Sequence, residues 1–388
     1  MSSIWGDNIK ISVFGESHGL AVGVVIDGLP PGIPLDTRKI DFEMKRRRPG
    51  QNIYTTQRTE TDKVEIVSGF FNGFTTGTPL CGIIKNNDKR STDYEDIKNI
   101  MRPGHADYTG FVRYNGFGDY RGGGHFSGRL TAPIVFAGAI ANQYLEQKGI
   151  VIGTHLLQIG NIQDESIDSV NVTTKQLQLF RSMSFPVVNE QVQDKMKEEI
   201  NAARMECDSV GGILETSIIN LPAGIGAPIF DSVESRLSAF VFSIPGVKGI
   251  EFGTGFKLSS MRGSDANDEF YISKDKAGCS TVNLNCSDTY NREISKNTPE
   301  NNIPRTRTNH SGGINGGITN GMPVLFRTCI KPTSTISKPQ HTINIDTMQE
   351  TEHIFKGRHD PCIAVRAVPV IDAAAALVVM DLLLEKEV

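Results

Sequence analysis

Three observations predict one α+β domain built from layered sheets and helices. Strand-like and helix-like runs alternate irregularly, without the even spacing of βαβ units, which argues against a doubly wound parallel sheet. No repeat of solenoid length is present. With 388 residues, 38% of them apolar and 22% charged, the chain is long enough to bury a substantial core.

The elements follow in chain order. Residues 8–30 read as two strands around a turn. Ile9, Ile11 and Val13 lead in, residues 20–26 lead out, and the break from Gly15 to Gly19 presents Glu16, Ser17 and His18. Residues 36–48 read as a helix with Asp36 at its N-cap. The run Lys45-Arg46-Arg47-Arg48 falls at its C-terminal end, where cations complement the helix dipole, and Pro49-Gly50 stops it. Residues 63–86 alternate short strands and turns. Residues 129–148 read as an Ala- and Ile-rich helix ended by Gly149, with Pro133 confined to the first turn. Residues 189–206 form an amphipathic helix with Val192, Met196, Ile200 and Ala203 on one face. Strands are expected at 213–220 and 324–330. Residues 270–308, rich in Asn, Ser, Thr, Lys and Asp and holding Pro299 and Pro304, read as a long, partly mobile surface excursion. The longest apolar run, 368–384, contains Asp372 and Asp381 and reads as a buried C-terminal helix rather than a membrane span.

Composition excludes some functions. A net charge of −4 speaks against a general nucleic-acid binder. The first seven residues lack the basic and apolar regions of a secretory signal. Cys81, Cys207, Cys279, Cys286, Cys329 and Cys362 are scattered with no CxxC pair, so neither a zinc site nor a disulfide framework is indicated, and the cytoplasm is the simplest location.

The polar turns carry the chemistry. Arg46, Arg47, Arg48, Arg102, Arg121, Arg129 and Arg358 stand beside Gly, Pro or His. One such arginine is usually a solvated surface group. Several that converge imply a small polyanion, because each charge-assisted bond from a guanidinium is worth roughly 1.5–3 kcal/mol in a shielded site. His18 and His105 can exchange protons near neutral pH, although either could be a hydrogen-bonded structural histidine. Glu16 and Asp107 lie two residues from them and would favour the charged imidazole. Asp360 is a candidate base, or simply a turn former. The Gly-rich run 309–317 lacks GxGxxG spacing and is a weak nucleotide signal. Lys331-Pro332-Thr333-Ser334-Thr335 offers a cation and three hydroxyls after a strand, which suits a phosphate but could equally be a strand end.

Taken together, ten ordered motifs resemble the chorismate synthase family over nearly the whole chain. They are FGESHG (14–19), RRRPG (46–50), TTQRTETD (55–62), SGFFNGFTTGTP (68–79), RPGHADYTG (102–110), RGGG with GRLTA (121–132), DSVGG (208–212), NHSGGINGG (309–317), KPTST (331–335) and KGRHDPC (356–362). Residues 270–308 resemble an insertion relative to common bacterial members. The resemblance implies a β–α–β layered sandwich in a single domain spanning 1–388, usually assembled as a homotetramer. It implies loss of phosphate and a ring proton from 5-enolpyruvylshikimate 3-phosphate, an anti-1,4-elimination giving chorismate in the last step of the shikimate pathway to aromatic amino acids. Reduced FMN is required although the reaction has no net redox change.

By the same resemblance, His18 assists the departing phosphate, His105 sets the protonation of the reduced flavin, and Asp360 acts with the flavin in ring-proton removal. Ser17, Arg47, Arg48, Arg102 and Arg129 fall on substrate positions. His125, Phe126, Ser127, Gly316, Lys331, Pro332, Thr333, Ser334, Thr335 and Arg358 fall on the FMN site. Arg47 also matches an NADPH position in members that reduce their own flavin; other members depend on an external flavin reductase. The chain departs from the family pattern at His125-Phe126, where Arg-Ser is usual, at Pro245-Gly246, where Asn-Ala is common, and at Ile53, where a second arginine often stands. These departures touch flavin and nucleotide contacts rather than the two histidines or Asp360.

Two other readings carry different expectations. A metal-dependent phosphohydrolase using Glu16, His18, His105 and Asp360 would lose activity to chelators, but no close ligand pair of the HExxH kind occurs. A nucleic-acid module built on residues 45–48 would bind in a salt-sensitive way, but that run lacks interleaved aromatics.

Overall fold

The computed structural model describes residues 3–50, 60–87, 98–273, 303–355 and 360–387. Two five-stranded antiparallel sheets form its outer layers. The first runs in the order Ile4–Trp5, Lys10–Gly15, Ala21–Asp27, Leu80–Lys85, Val64–Ser68. The second runs Val247–Phe252, Val324–Ile330, Gly212–Ile219, Val151–Ile159, Ile162–Gln163. Between them lie the helices Thr131–Gln147 and Ala364–Glu387, packed on each other. The former lies on the first sheet and the latter on the second. This is the expected β–α–β layering.

Both middle helices are apolar on all sides because they have no solvent face. Residues 131–145 are all buried. The C-terminal helix is long and apolar enough, by length and composition, to cross a bilayer, yet its residues are buried in the protein core. Its two carboxylates are accommodated by partners. Asp372 accepts from Arg46 Nη2 at 2.8 Å, and Asp381 Oδ1 accepts from the N–H groups of Asn8 and Ile9, each at 2.8 Å. The middle helices approach closely at Gly138, where any Cβ would collide with Ala373.

The expected elements are found at Thr37–Arg47, capped by the Asp36 side chain, at Glu190–Met205, and at Val324–Ile330. Pro133 sits in the first turn of its helix. Three findings correct the sequence reading. First, Arg46 and Arg47 are not simple dipole caps: both enter buried ion pairs. Second, the ends of the 270–308 segment are ordered strands, Phe270–Ser273 pairing with Ile303–Thr306, and Asp268 accepts from the N–H groups of His310 and Ser311. The rest of that segment, with Cys279 and Cys286, lies outside the described residues. Third, the short helices Asp107–Arg113, Thr174–Ser182 and Val233–Val241 went unread, since about two turns give too few apolar positions to show a period.

Candidate active site

The strand Lys10–Gly15 ends at the first polar turn, and Gly15 pairs with Val22 across it. Ser17 and His18 are buried rather than displayed. They lie behind the turn at 121–126, where Gly122, Gly123 and Gly124 all have positive φ. A side chain at Gly122 would collide with the His18 ring, and a Cβ at Gly123 would sit 3.0 Å from His105 Cε1. The glycine turn therefore passes between the two histidines, which only residues without side chains allow. Ser17 N–H donates to Gly124 C=O at 3.2 Å and locks the two turns together.

His105 Nδ1 is 2.7 Å from Asp107 Oδ1. A carboxylate only accepts, so the hydrogen sits on Nδ1 and Nε2 carries the lone pair. Arg102 grips the same carboxylate through Nε and Nη2, each at 2.7 Å. Burial alone would raise the Asp107 pKa, but these bonds outweigh it and hold the carboxyl well below its usual range. His18 Nδ1 lies 3.2 Å from Ser17 Oγ, and that hydroxyl donates to Arg121 C=O at 3.2 Å, so His18 also carries its hydrogen on Nδ1.

A buried guanidinium pair forms the next wall. Asp62 bonds Arg47 Nη1 at 3.0 Å and also Arg129. Arg47 further donates to Thr131 Oγ1 at 3.1 Å and Gly128 C=O at 2.8 Å. Burial, reinforced by Arg366 and Arg129 against the pull of Asp62, lowers the Arg47 pKa to about 10. Asn86 accepts from Arg129 Nε at 2.9 Å and donates to the carbonyls of Glu16 and Gly19, tying the arginine to the first turn.

On the opposite side, Ser334 Oγ donates to Gly104 C=O at 2.8 Å, and Lys331 Nζ bonds both that carbonyl and Ser334 Oγ. This clamp anchors the loop carrying His105. Burial and the nearby charge of Lys248 lower the Lys331 pKa. Asp360 accepts from Arg366 Nη1 at 2.6 Å.

These groups enclose a cavity of about 910 Å³. It brings together Arg47, Arg102, His105, His125, Phe126, Ser127, Arg129, residues 331–335 and Asp360. His18 and Ser17 lie one layer behind its wall, against Gly122. Arg48 lines a separate recess of about 200 Å³ with Lys45, Arg46, Arg181 and Arg366. Gly316 sits at an exposed hairpin turn and does not line the cavity. Arg358 lies outside the described residues, as does Ile53. His125 lines the cavity, but its Nδ1 bonds Gly15 C=O at 2.9 Å and its Nε2 lies 3.0 Å from Ser3 Oγ, so the ring braces the N-terminal segment.

Sequence reasoning missed Lys248, Arg366 and Glu60, which also line the cavity, and Asn86 and Asp62 behind it. Arg366 carried one usable signal, a lone cation opening an apolar helix. Lys248 in a short strand carried none. Among the described residues, six cationic side chains and two carboxylates face the space: Arg47, Arg102, Arg129, Lys248, Lys331 and Arg366 against Glu60 and Asp360. Such a surplus in a shielded space suits a ligand with several negative charges.

A family model described as chorismate synthase matches residues 9–384. A chorismate synthase of Thermococcus gammatolerans is 41% identical over 382 residues, covering 98% of each chain. One from Dehalococcoides mccartyi is 42% identical over 387 residues, covering 99% of this chain and 97% of that one. A crystal structure of a chorismate synthase superposes with a TM-score of 0.70 over 98% of this chain and 93% of the other, at 24% identity, and so matches the fold. The chain belongs to the chorismate synthase family.

Proposed function

We propose that this enzyme removes phosphate and a ring proton from 5-enolpyruvylshikimate 3-phosphate to form chorismate, with reduced FMN held in the cavity. The observation that carries this reading is the gathering of six cations, His105 and Asp360 around one cavity of about 910 Å³. A substrate with one phosphate and two carboxylates matches that cationic surplus.

The residues present also fit a flavin. Phe126 is 41% exposed and lines the cavity beside Tyr114, their rings 5.9 Å apart, which suits stacking on a planar ring system. Thr333 Oγ1 is buried without a partner among the described residues, and so is placed to receive a bond from a ligand. Phe126, Ser127 and residues 331–335 would hold the cofactor, with Arg358 as the family resemblance implies. When bound, reduced FMN supplies the electron density that makes loss of phosphate feasible.

The chain's own groups do the rest. Arg102 and Arg129 orient the anionic substrate. His105 holds or yields a proton at Nε2 beside the glycine turn. His18 assists the departing phosphate from behind Gly122. Asp360 acts with the flavin in removing the ring proton. The electrons that reduce the flavin come from an external reductase, with NADPH at Arg47, which the family resemblance implies, as the other source. The enzyme works in the cytoplasm as a homotetramer.

The test is anaerobic incubation of the protein with substrate and dithionite-reduced FMN. Chorismate and phosphate should appear together. Unchanged substrate beside fully reduced flavin would overturn the reading. NADPH in place of dithionite should support no turnover until a flavin reductase is added; turnover on NADPH alone would remove the external reductant.

A further inference from the structure

Asn86 connects two parts of the site that the chain itself keeps apart. It follows the strand Leu80–Lys85 and is buried behind the cavity wall. Its side-chain Nδ2 donates to Glu16 C=O at 2.9 Å and to Gly19 C=O at 3.1 Å, and its backbone N–H donates to Leu20 C=O at 3.2 Å. Three carbonyls of the turn that carries Ser17 and His18 therefore bond to this one residue. On its other side, Oδ1 accepts from Arg129 Nε at 2.9 Å. The partners fix the direction of the amide. A guanidinium only donates and a carbonyl only accepts, so the oxygen faces Arg129 and the nitrogen faces the turn. An aspartate in the same place would keep the acceptor and lose both donors.

Both ends have further supports. Ser17 N–H donates to Gly124 C=O at 3.2 Å, which ties the turn to the glycine run. Arg129 also bonds Asp62, and its Nη2 donates to Lys85 C=O at 3.3 Å. Those bonds hold the turn and the guanidinium each in its own place, whereas Asn86 joins one to the other.

We propose that Asn86 is a positioning residue: its amide sets the place of His18 relative to Arg129. This rests on the reading of His18 as the group that assists the departing phosphate and of Arg129 as a cation that orients the substrate. A substrate held by Arg129 then presents its phosphate at a set distance from His18. Misplacement of a reacting group by about 1 Å can cost about 10²-fold in rate. The other bonds of the turn remain when Asn86 is changed, so His18 shifts without being released. The loss is therefore smaller than the roughly 10²–10⁴-fold expected for removing His18 itself.

The test measures steady-state turnover on dithionite-reduced FMN under anaerobic conditions. Asn86→Asp should lower kcat at least about tenfold and leave KM within about threefold, because the bond to Arg129 survives while the bonds to the turn do not. On a His18→Ala background the same change should cost less than about twofold, since the group it positions is already gone. A merely structural residue would lower kcat by the same factor on both backgrounds, and that result overturns the proposal. A raised KM with unchanged kcat overturns it too. If Asn86→Asp fails to fold, Asn86→Ser, too short to span the turn and Arg129 together, decides by the same cycle. His18→Ala alone separates the two ideas. Wild-type turnover there removes the role of His18, and the proposal falls with it. Slow turnover there, with wild-type kinetics in Asn86→Asp, removes only the role of Asn86.

Discussion

His105 owes its tautomer to Asp107, two positions along the chain, and its place to a glycine turn that a side chain would block. That pairing was legible in the sequence because neighbours in a turn must be near in space. The partners of Arg47 and Arg129 were not: Asp62, Asn86 and Thr131 come from separate elements. The expected consequence for the histidines is direct. His105→Ala and His18→Ala should each slow turnover by roughly 10²–10⁴-fold, the usual contribution of a positioned proton-transfer group. Steady-state rates with reduced FMN check this, and wild-type rates in either variant would remove that histidine from the mechanism.

At the level of elements, the second sheet carries a row of alternating charge. Glu251, Arg327, Glu215 and His155 stand in register on four neighbouring strands. Arg327 Nε donates to Glu215 at 2.8 Å, His155 Nε2 lies 3.0 Å from the same carboxylate, and His155 Nδ1 lies 3.7 Å from Asp164, an ion-pair distance rather than a hydrogen bond. Burial alone would lower the His155 pKa, but Asp164 and Glu215 outweigh it and raise it above the ordinary value of about 6.5. A raised folded-state pKa stabilises fully below about pH 6.5, and that contribution is lost as pH climbs through the folded value. Melting temperature should therefore fall on the alkaline side more steeply for the wild type than for His155→Gln; parallel curves would refute the linkage.

The middle layer makes a second element-scale prediction. Gly138→Val should destabilise by about 1–3 kcal/mol, because the added carbons meet Ala373 across two tightly packed helices. A denaturation midpoint equal to wild type would show that the helices can part there.

For the whole molecule, several large rings remain in solvent: Phe117 is 93% exposed, and Phe230 and Phe256 are each 85% exposed. Exposed aromatics fit an assembled protein better than a lone chain. Light scattering should return the mass of four chains, and a single-chain mass at micromolar concentration would exclude the homotetramer.

What could be read from residue order was local or periodic. The capped helix after Asp36, the apolar strand before Lys331, the apolar C-terminal helix and the motif turns all depend on neighbours along the chain. The convergence of those turns on one cavity, the burial of His18 behind Gly122, the diversion of Arg48 into another recess and the union of Arg366 with Asp360 depend on how two sheets close over two helices. Contacts between residues far apart in the chain leave no spacing to detect, so packing alone settles which charges meet.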